Sequence, residues 1–170
     1  NKIEKDFDFK NPSASIPKLI EAYSLIQKLD DEHWKKIKTE EIKKIIAGCA
    51  GLFLEAVADS QSSTPGSTLK VKLEAINRSS QKMVLNGINS KPASMTTFSI
   101  TPLENNRPFF VEMELILDKN QAYTAPYWLK ESGTVGMYTV SNQENVGVPD
   151  IIRTISVTFL VEINGVVIPF

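Results

Sequence analysis

The chain changes its hydrophobic rhythm once, near residue 60, and that change limits what it can fold into. Before it, Ile16, Leu19, Ile20, Tyr23, Ile26 and Leu29 recur three and four positions apart, the spacing that lines one face of a helix. After it, "TLKVKLEAI" places Leu69, Val71, Leu73 and Ala75 on one side and Lys70, Lys72 and Glu74 on the other. That alternation belongs to a half-buried strand, because successive side chains of an extended chain point to opposite faces. A helical first third is therefore expected ahead of a stranded remainder.

In the helical part, Ser13 or Ser15 is expected to accept from the orphan amides of the first helix. Pro17 suits its first turn, where a missing N–H costs nothing. A second helix is expected after Thr39, with Glu40 and Glu41 near the positive end of its dipole. Its stripe is Ile42, Ile45, Ile46, Cys49, Phe53 and Ala56, with Leu52 beside it. Gly48 and Gly51 inside that helix each cost about 1 kcal/mol against alanine, so they are expected to mark the close approach of another element. The link carrying His33 and Trp34 makes the pair an αα-hairpin.

"SQSSTPGS", Ser60 to Ser67, is polar and ends in a Pro-Gly turn signal, which places a linker there. Strands are expected at Leu69 to Ala75, Met83 to Ile88, Met95 to Thr101, Phe109 to Leu117, Gly136 to Val140 and Thr154 to Ile163. Asn164-Gly165 is the strongest hairpin signal, joining "TFLVEI" to "VVIPF". No helical pattern separates the strands, so parallel βαβ units are not expected. The reading is an α+β, mainly β chain: an Ig-like antiparallel β-sandwich preceded by an N-terminal αα-hairpin, with residues 1–59 as the helical segment and 60–170 as the sandwich.

Composition removes several classes of function. Lys and Arg number 19 against 20 Asp and Glu, which leaves no global field for nucleic acid. The densest basic stretch, Lys35-Lys36-Ile37-Lys38 with Lys43-Lys44, is interrupted by Glu40 and Glu41 and reads as a solvated helix face. No apolar run reaches the ~18 residues of a membrane span. A lone cysteine forms no internal disulfide. The chain opens at Asn1 and closes at Phe170 inside a strand-like run, so a piece of a longer protein is expected.

Chemistry-bearing groups are scarce. Cys49 and His33 are the single thiol and imidazole. Cys49 falls on an apolar helical stripe, where a thiol is inert; His33 sits in "DDEHW", read as an inter-helix turn. One His and one Cys do not make the usual zinc sets. An oxygen-only calcium site would have to draw on Asp118, Glu144 or Asp150, without EF-hand spacing. The glycines of "NGINS" and "ESGTVG" lack phosphate-loop spacing. Glu112 and Glu114 share one face of a strand, and read as its outward polar side rather than a catalytic pair. No catalytic, metal-binding or cofactor-binding residue is assigned, and no cofactor is expected.

What remains is "AYTAPYWLKESG", with Tyr123, Tyr127 and Trp128. Adjacent residues of a strand face opposite ways, so at least one of Tyr127 and Trp128 is expected between the sheets as a core plug. The alternative is a carbohydrate-binding platform formed by Tyr123, Tyr127 and Trp128.

Three stretches carry a family resemblance: "FDFKNPSASIPKLIEAYSLIQKL", "HWKKIKTEEIKKIIAGCAGLFLEA" and "PGSTLKVKLEAINRS". Together with "TAPYWLKESGTVGMYTV", "VGVPD" and "FLVEINGVVIPF", they make the chain resemble the helical linker and β-sandwich that follow the catalytic domain in large bacterial LmbE-like (PIG-L-type) N-acetylglucosaminyl deacetylases. The resemblance implies a non-catalytic accessory module whose partner is the parent's catalytic domain, or alternatively a glycan. The parent would be zinc-dependent and exported. The family's His-Pro-Asp-Asp motif is missing here, so no catalytic residue carries over.

Overall fold

The computed structural model describes residues 2–91, 95–96, 100–148 and 155–170. A short helical turn α1 (Lys2–Lys5) and a 3₁₀ turn (Pro12–Ser15) lead into helices α2 (Ile16–Ile26) and α3 (Glu32–Ala50). Strands β1 (Phe53–Ala58), β2 (Thr68–Ile76), β3 (Met83–Lys91), β4 (Met95–Thr96), β5 (Thr101–Leu103), β6 (Phe109–Ile116), β7 (Ser156–Ile163) and β8 (Val166–Pro169) follow. They form two antiparallel sheets. One has the order β1-β2-β6; the other runs β4-β3-β7-β8, with β5 also paired to β3. The chain is thus α+β and mainly β, as expected.

Alternation does what it promised in β2. Leu69, Val71, Leu73 and Ala75 are buried, while Lys70 and Lys72 face Glu114 and Glu112 across the outer surface of the sheet. Those pairs stand at 4.0 and 3.7 Å and are exposed, so they organise the face and stabilise it little. Burial of each inward Leu or Val contributes about 1.5–3 kcal/mol. Their counterparts on β3 and β7, including Leu85, Val161 and Ile163, join the same apolar cluster. So do Ile16, Ile20, Ile42 and Ile46 of the helices, which makes one continuous core of hairpin and sheets.

Several local expectations are corrected. Neither Ser13 nor Ser15 caps α2: Ser15 has helical φ and ψ, and the preceding 3₁₀ turn continues the right-handed backbone into the helix. Helix α3 begins at Glu32 rather than after Thr39, because Asp31 accepts the Trp34 amide at 3.0 Å as an N-cap. His33 and Trp34 therefore lie in its first turn and not in a link. The lysines of α3 are largely neutralised locally, with Lys35–Glu32, Lys38–Glu41 and Lys43–Glu40 ion pairs, consistent with a solvated face.

The C-terminal boundary of α3 is the larger correction. The helix stops at Ala50, and Phe53 to Ala56 belong to β1, not to a helical stripe. Gly51 takes φ +57°, with its N–H donating to Gly48 O at 3.2 Å and the Leu52 N–H to Ala47 O at 2.9 Å. That is a Schellman stop, which closes the helix on its own last carbonyls. Consequently β1 lies on the helical side of the division at residue 59 yet pairs along its length with β2, and "SQSSTPGS" is the loop of that hairpin. Gly48 does not mark a close approach either: a Cβ there would meet nothing within 4 Å. Gly51 does have a neighbour, Arg78 Cβ at 3.0 Å from the position of an added Cβ.

The two glycines predict opposite outcomes in a urea melt. Gly48→Ala is expected to stabilise the protein by about 0.5–1 kcal/mol, the helix-propensity gain in open space. Gly51→Ala is expected to destabilise it by about 1–2 kcal/mol, from the left-handed backbone and the Arg78 contact. Equal effects of the two substitutions would refute the helix stop at Gly51.

Asn164-Gly165 closes β7 and β8 as expected, with φ +51° and +80°, both left-handed as a two-residue hairpin of this type requires. Gly136 to Val140 is not a strand: Thr134 and Met137 bridge around a tight turn, and nothing extends the ladder. The expected strand Met95 to Thr101 is found in two short pieces, Met95–Thr96 and the start of β5; its residues 97–99 lie outside the described residues, as does Thr154 of the last long strand.

Candidate functional site

Between β6 and β7 the chain runs through residues 118–148 without a single buried side chain. Its entry is a self-contained turn, in which the Asp118 carboxylate accepts the Asn120 amide at 2.7 Å and Asp118 O accepts that of Gln121. Pro126, extended and with no N–H to give, precedes a 3₁₀ turn of Tyr127–Leu129. The expected strand geometry is absent, and with it the core plug. Tyr127 and Trp128 are half-buried, and neither belongs to the core cluster.

These two rings do not offer a flat platform either. They meet edge to face, with centroids 4.9 Å apart and planes at 89°. The Tyr127 hydroxyl accepts the Gly147 N–H at 3.3 Å, tying the 3₁₀ turn to the far end of the segment. Further along, Ser141 donates its N–H and its hydroxyl to the Glu131 carboxylate at 3.0 and 2.6 Å. Those bonds hold the Glu131 carboxyl below its usual range. The loop they enclose carries Val135, Met137 and Tyr138 into solvent. Leu129, Met137 and Tyr138 border one shallow depression of about 490 Å³ beside Trp128.

Tyr123 stands apart, 79% exposed. It lies at the mouth of a second and larger groove, about 830 Å³, between the β1–β2 end of one sheet and the start of β7 in the other. Leu69, Val71 and Leu117 lie deep in it; Ser60, Gln61, Gln121 and Thr124 give it a polar rim. The three aromatic candidates are thus split, with Tyr123 on this groove and Trp128 on the other depression. Ala56 and Ala58 also border the groove. Sequence reasoning missed this because it kept residues 53–56 in a helix; Gly51, read as a helix stop, was the signal that could have found it.

The reactive groups are dispersed. Cys49 and His33 occupy opposite ends of α3, about 24 Å apart along the axis at 1.5 Å per residue. Burial pushes the Cys49 thiol up, away from the thiolate form a nucleophile needs. Glu112 and Glu114 are exposed on β6 opposite lysines. Among the described residues no three His, Cys, Asp or Glu side chains gather where a metal could bind. Of the calcium candidates, Asp118 closes its own turn, Glu144 lies in a short 3₁₀ turn capped by Asn142, and Asp150 is outside the described residues. No described helix is long and apolar enough to cross a membrane.

Compared with protein-family models, with curated proteins and with solved structures, the chain matches none.

Proposed function

We propose that this chain is a non-catalytic accessory module of a larger LmbE-like sugar deacetylase, an Ig-like β-sandwich with a helical hairpin that packs against the catalytic domain and positions it. The observation that carries this reading is the β6–β7 segment. Long loops in compact domains are uncommon and usually functional, and residues 118–148 of this one expose Leu129, Val135, Met137, Tyr138 and Val146 and hold no buried side chain. Leu129, Met137 and Tyr138 of these border one depression, and grouped exposed apolar side chains are a feature of interaction sites. The parent would be exported and would act on an N-acetylated sugar with zinc held elsewhere, since the resemblance supplies no catalytic residue in this chain.

A second reading is carbohydrate binding through Tyr123, Tyr127 or Trp128, of which Tyr123 is the most exposed and borders a groove with a polar rim. Deuterium exchange separates the two. With a separately produced LmbE-like catalytic domain, amides of residues 118–148 are expected to gain protection. Changing Val135, Met137 and Tyr138 together to aspartate is expected to weaken that association at least about tenfold while altering stability by no more than about 0.5 kcal/mol. No protection by the catalytic domain sinks the accessory reading. Protection near Tyr123 by a glycan, lost in Tyr123→Ala, puts the second reading in its place.

A further inference from the structure

Strand β1 ends its sheet, so only one of its edges is paired. The register decides which backbone groups the other edge presents. The Asp59 N–H donates to Lys70 O at 2.9 Å, next to the Ala58–Val71 pair. Antiparallel alternation then makes Val57, Glu55 and Phe53 the residues bonded to β2. Leu54, Ala56 and Ala58 turn their N–H and C=O groups outward, where they have no hydrogen-bond partner among the described residues. The edge is lightly guarded: "FLEAVA" has no lysine or proline and its register has no bulge, and its one charge is Glu55.

The two faces of this edge differ. On the inner face, Leu54, Ala56 and Ala58 pair with buried Ala75, Leu73 and Val71, and the two alanines leave the 830 Å³ groove open beside them. On the outer face, Glu55 stands directly opposite Glu74, and neither carboxylate has an ion-pair partner among the described residues. Like charges directly opposite destabilise a sheet.

We propose that β1 is an acceptor edge for an extended strand of a protein partner, added antiparallel, with Lys or Arg opposite Glu55 and β-branched side chains entering the groove at alternate positions. The outward backbone groups of Leu54, Ala56 and Ala58 supply the main-chain bonds, and the groove selects the alternate side chains. The residue facing Glu55 falls in a non-hydrogen-bonded pair, where side chains approach most closely. A cation there would neutralise the Glu55–Glu74 repulsion. A second copy of β1 has no cation to offer in any register. The proposal stands on this edge and holds whether or not the accessory reading does.

The test is fluorescence anisotropy with a labelled peptide, acetyl-Ser-Val-Thr-Val-Lys-Val-Thr-amide, whose lysine falls opposite Glu55 when the central valine faces Ala56. Saturable binding is expected, weakened roughly five- to tenfold when the lysine becomes glutamate and lost when that central valine is N-methylated. Ala56→Pro removes an outward N–H and leaves the bonds to β2 intact, so it is expected to abolish binding at an unchanged melting temperature. Glu55→Lys is expected to reverse the preference toward the glutamate peptide. Failure to saturate at millimolar peptide overturns the proposal, as does equal binding of the N-methylated form. A concentration-dependent dimer that Ala56→Pro abolishes also overturns it, giving the edge to a second copy. If Ala56→Pro itself unfolds the chain, the N-methylated peptide still decides.

Discussion

Asn77→Leu is expected to lower the unfolding free energy by about 3–4 kcal/mol, a fall in melting temperature of roughly 6–16 °C for a chain of this size. Asn77 is 1% exposed and satisfies every polar atom of its side chain. Its Nδ2 donates to Gln81 O at 2.8 Å and to Leu103 O at 3.1 Å. Its Oδ1 accepts the N–H and the hydroxyl of Ser79, both at 2.9 Å. One side chain therefore fastens the β2–β3 turn to the end of β5, and its own carbonyl accepts the Asn106 N–H at 2.7 Å. Leucine has a similar size but would take the partner from two carbonyls, an amide and a hydroxyl; a buried group left unpaired costs about 1–3 kcal/mol, and the part-buried Gln81 carbonyl and the free-turning hydroxyl cost less. Ser79→Ala leaves Asn77 Oδ1 its bond from the Ser79 N–H but removes the acceptor of the Gln81 N–H at 3.2 Å, and is expected to cost about 1–2 kcal/mol. Urea denaturation followed by circular dichroism measures both. A loss below about 1 kcal/mol for Asn77→Leu would mean that water replaces the network.

The second large effect is expected from Ile46→Ala, about 3–4 kcal/mol, since Ile46 is fully buried and the removed atoms leave a cavity in a close-packed core. Ile46 belongs to the same apolar cluster as Leu73 and Val161. Its truncation should therefore lower the stability of hairpin and sheets together. Helical ellipticity and amide protection in β3 and β7 are expected to fall in one transition, at the same urea concentration. Separate transitions would make residues 1–59 an independent unit and would show that β1 is dispensable to its sheet. The pairing of β1 with β2 along all six residues of the strand argues for the single transition.

Much of the fold was legible because its signals are local. Ile16, Leu19, Ile20 and Tyr23 are buried as the periodicity required, as are Ile42 and Ile46, whereas Leu29, past the end of α2, and Ile45 on α3 are exposed. The alternation of β2 and the Asn164-Gly165 turn needed nothing beyond the pleat and the sterics of positive φ. Errors clustered where two readings compete within a few residues. Phe53 and Ala56 continue the helical spacing of Ile42, Ile46 and Cys49, so periodicity alone could not end the helix at Ala50. Gly51 could, because a left-handed residue after the last turn is the physical stop. "TAPYWL" failed for another reason: Pro126 and the turn that follows it override the strand propensity of Tyr127 and Trp128.

The candidate sites were less legible than the elements. A groove is made by residues far apart in sequence, here Ala56, Leu69, Tyr123 and Val157, and no local pattern brings them together. By itself, the amino-acid sequence determined the two periodicities, the hairpin at Asn164-Gly165, the near-neutral charge and the shortage of reactive side chains, since each depends on residues within a turn or a strand. Only the tertiary structure decided that β1 closes one sheet with an open edge, that Glu55 faces Glu74, that Asn77 is fully bonded, and that residues 118–148 hold no buried side chain. Those are properties of which segments meet in space, and long-range packing settles them after local propensity has had its say.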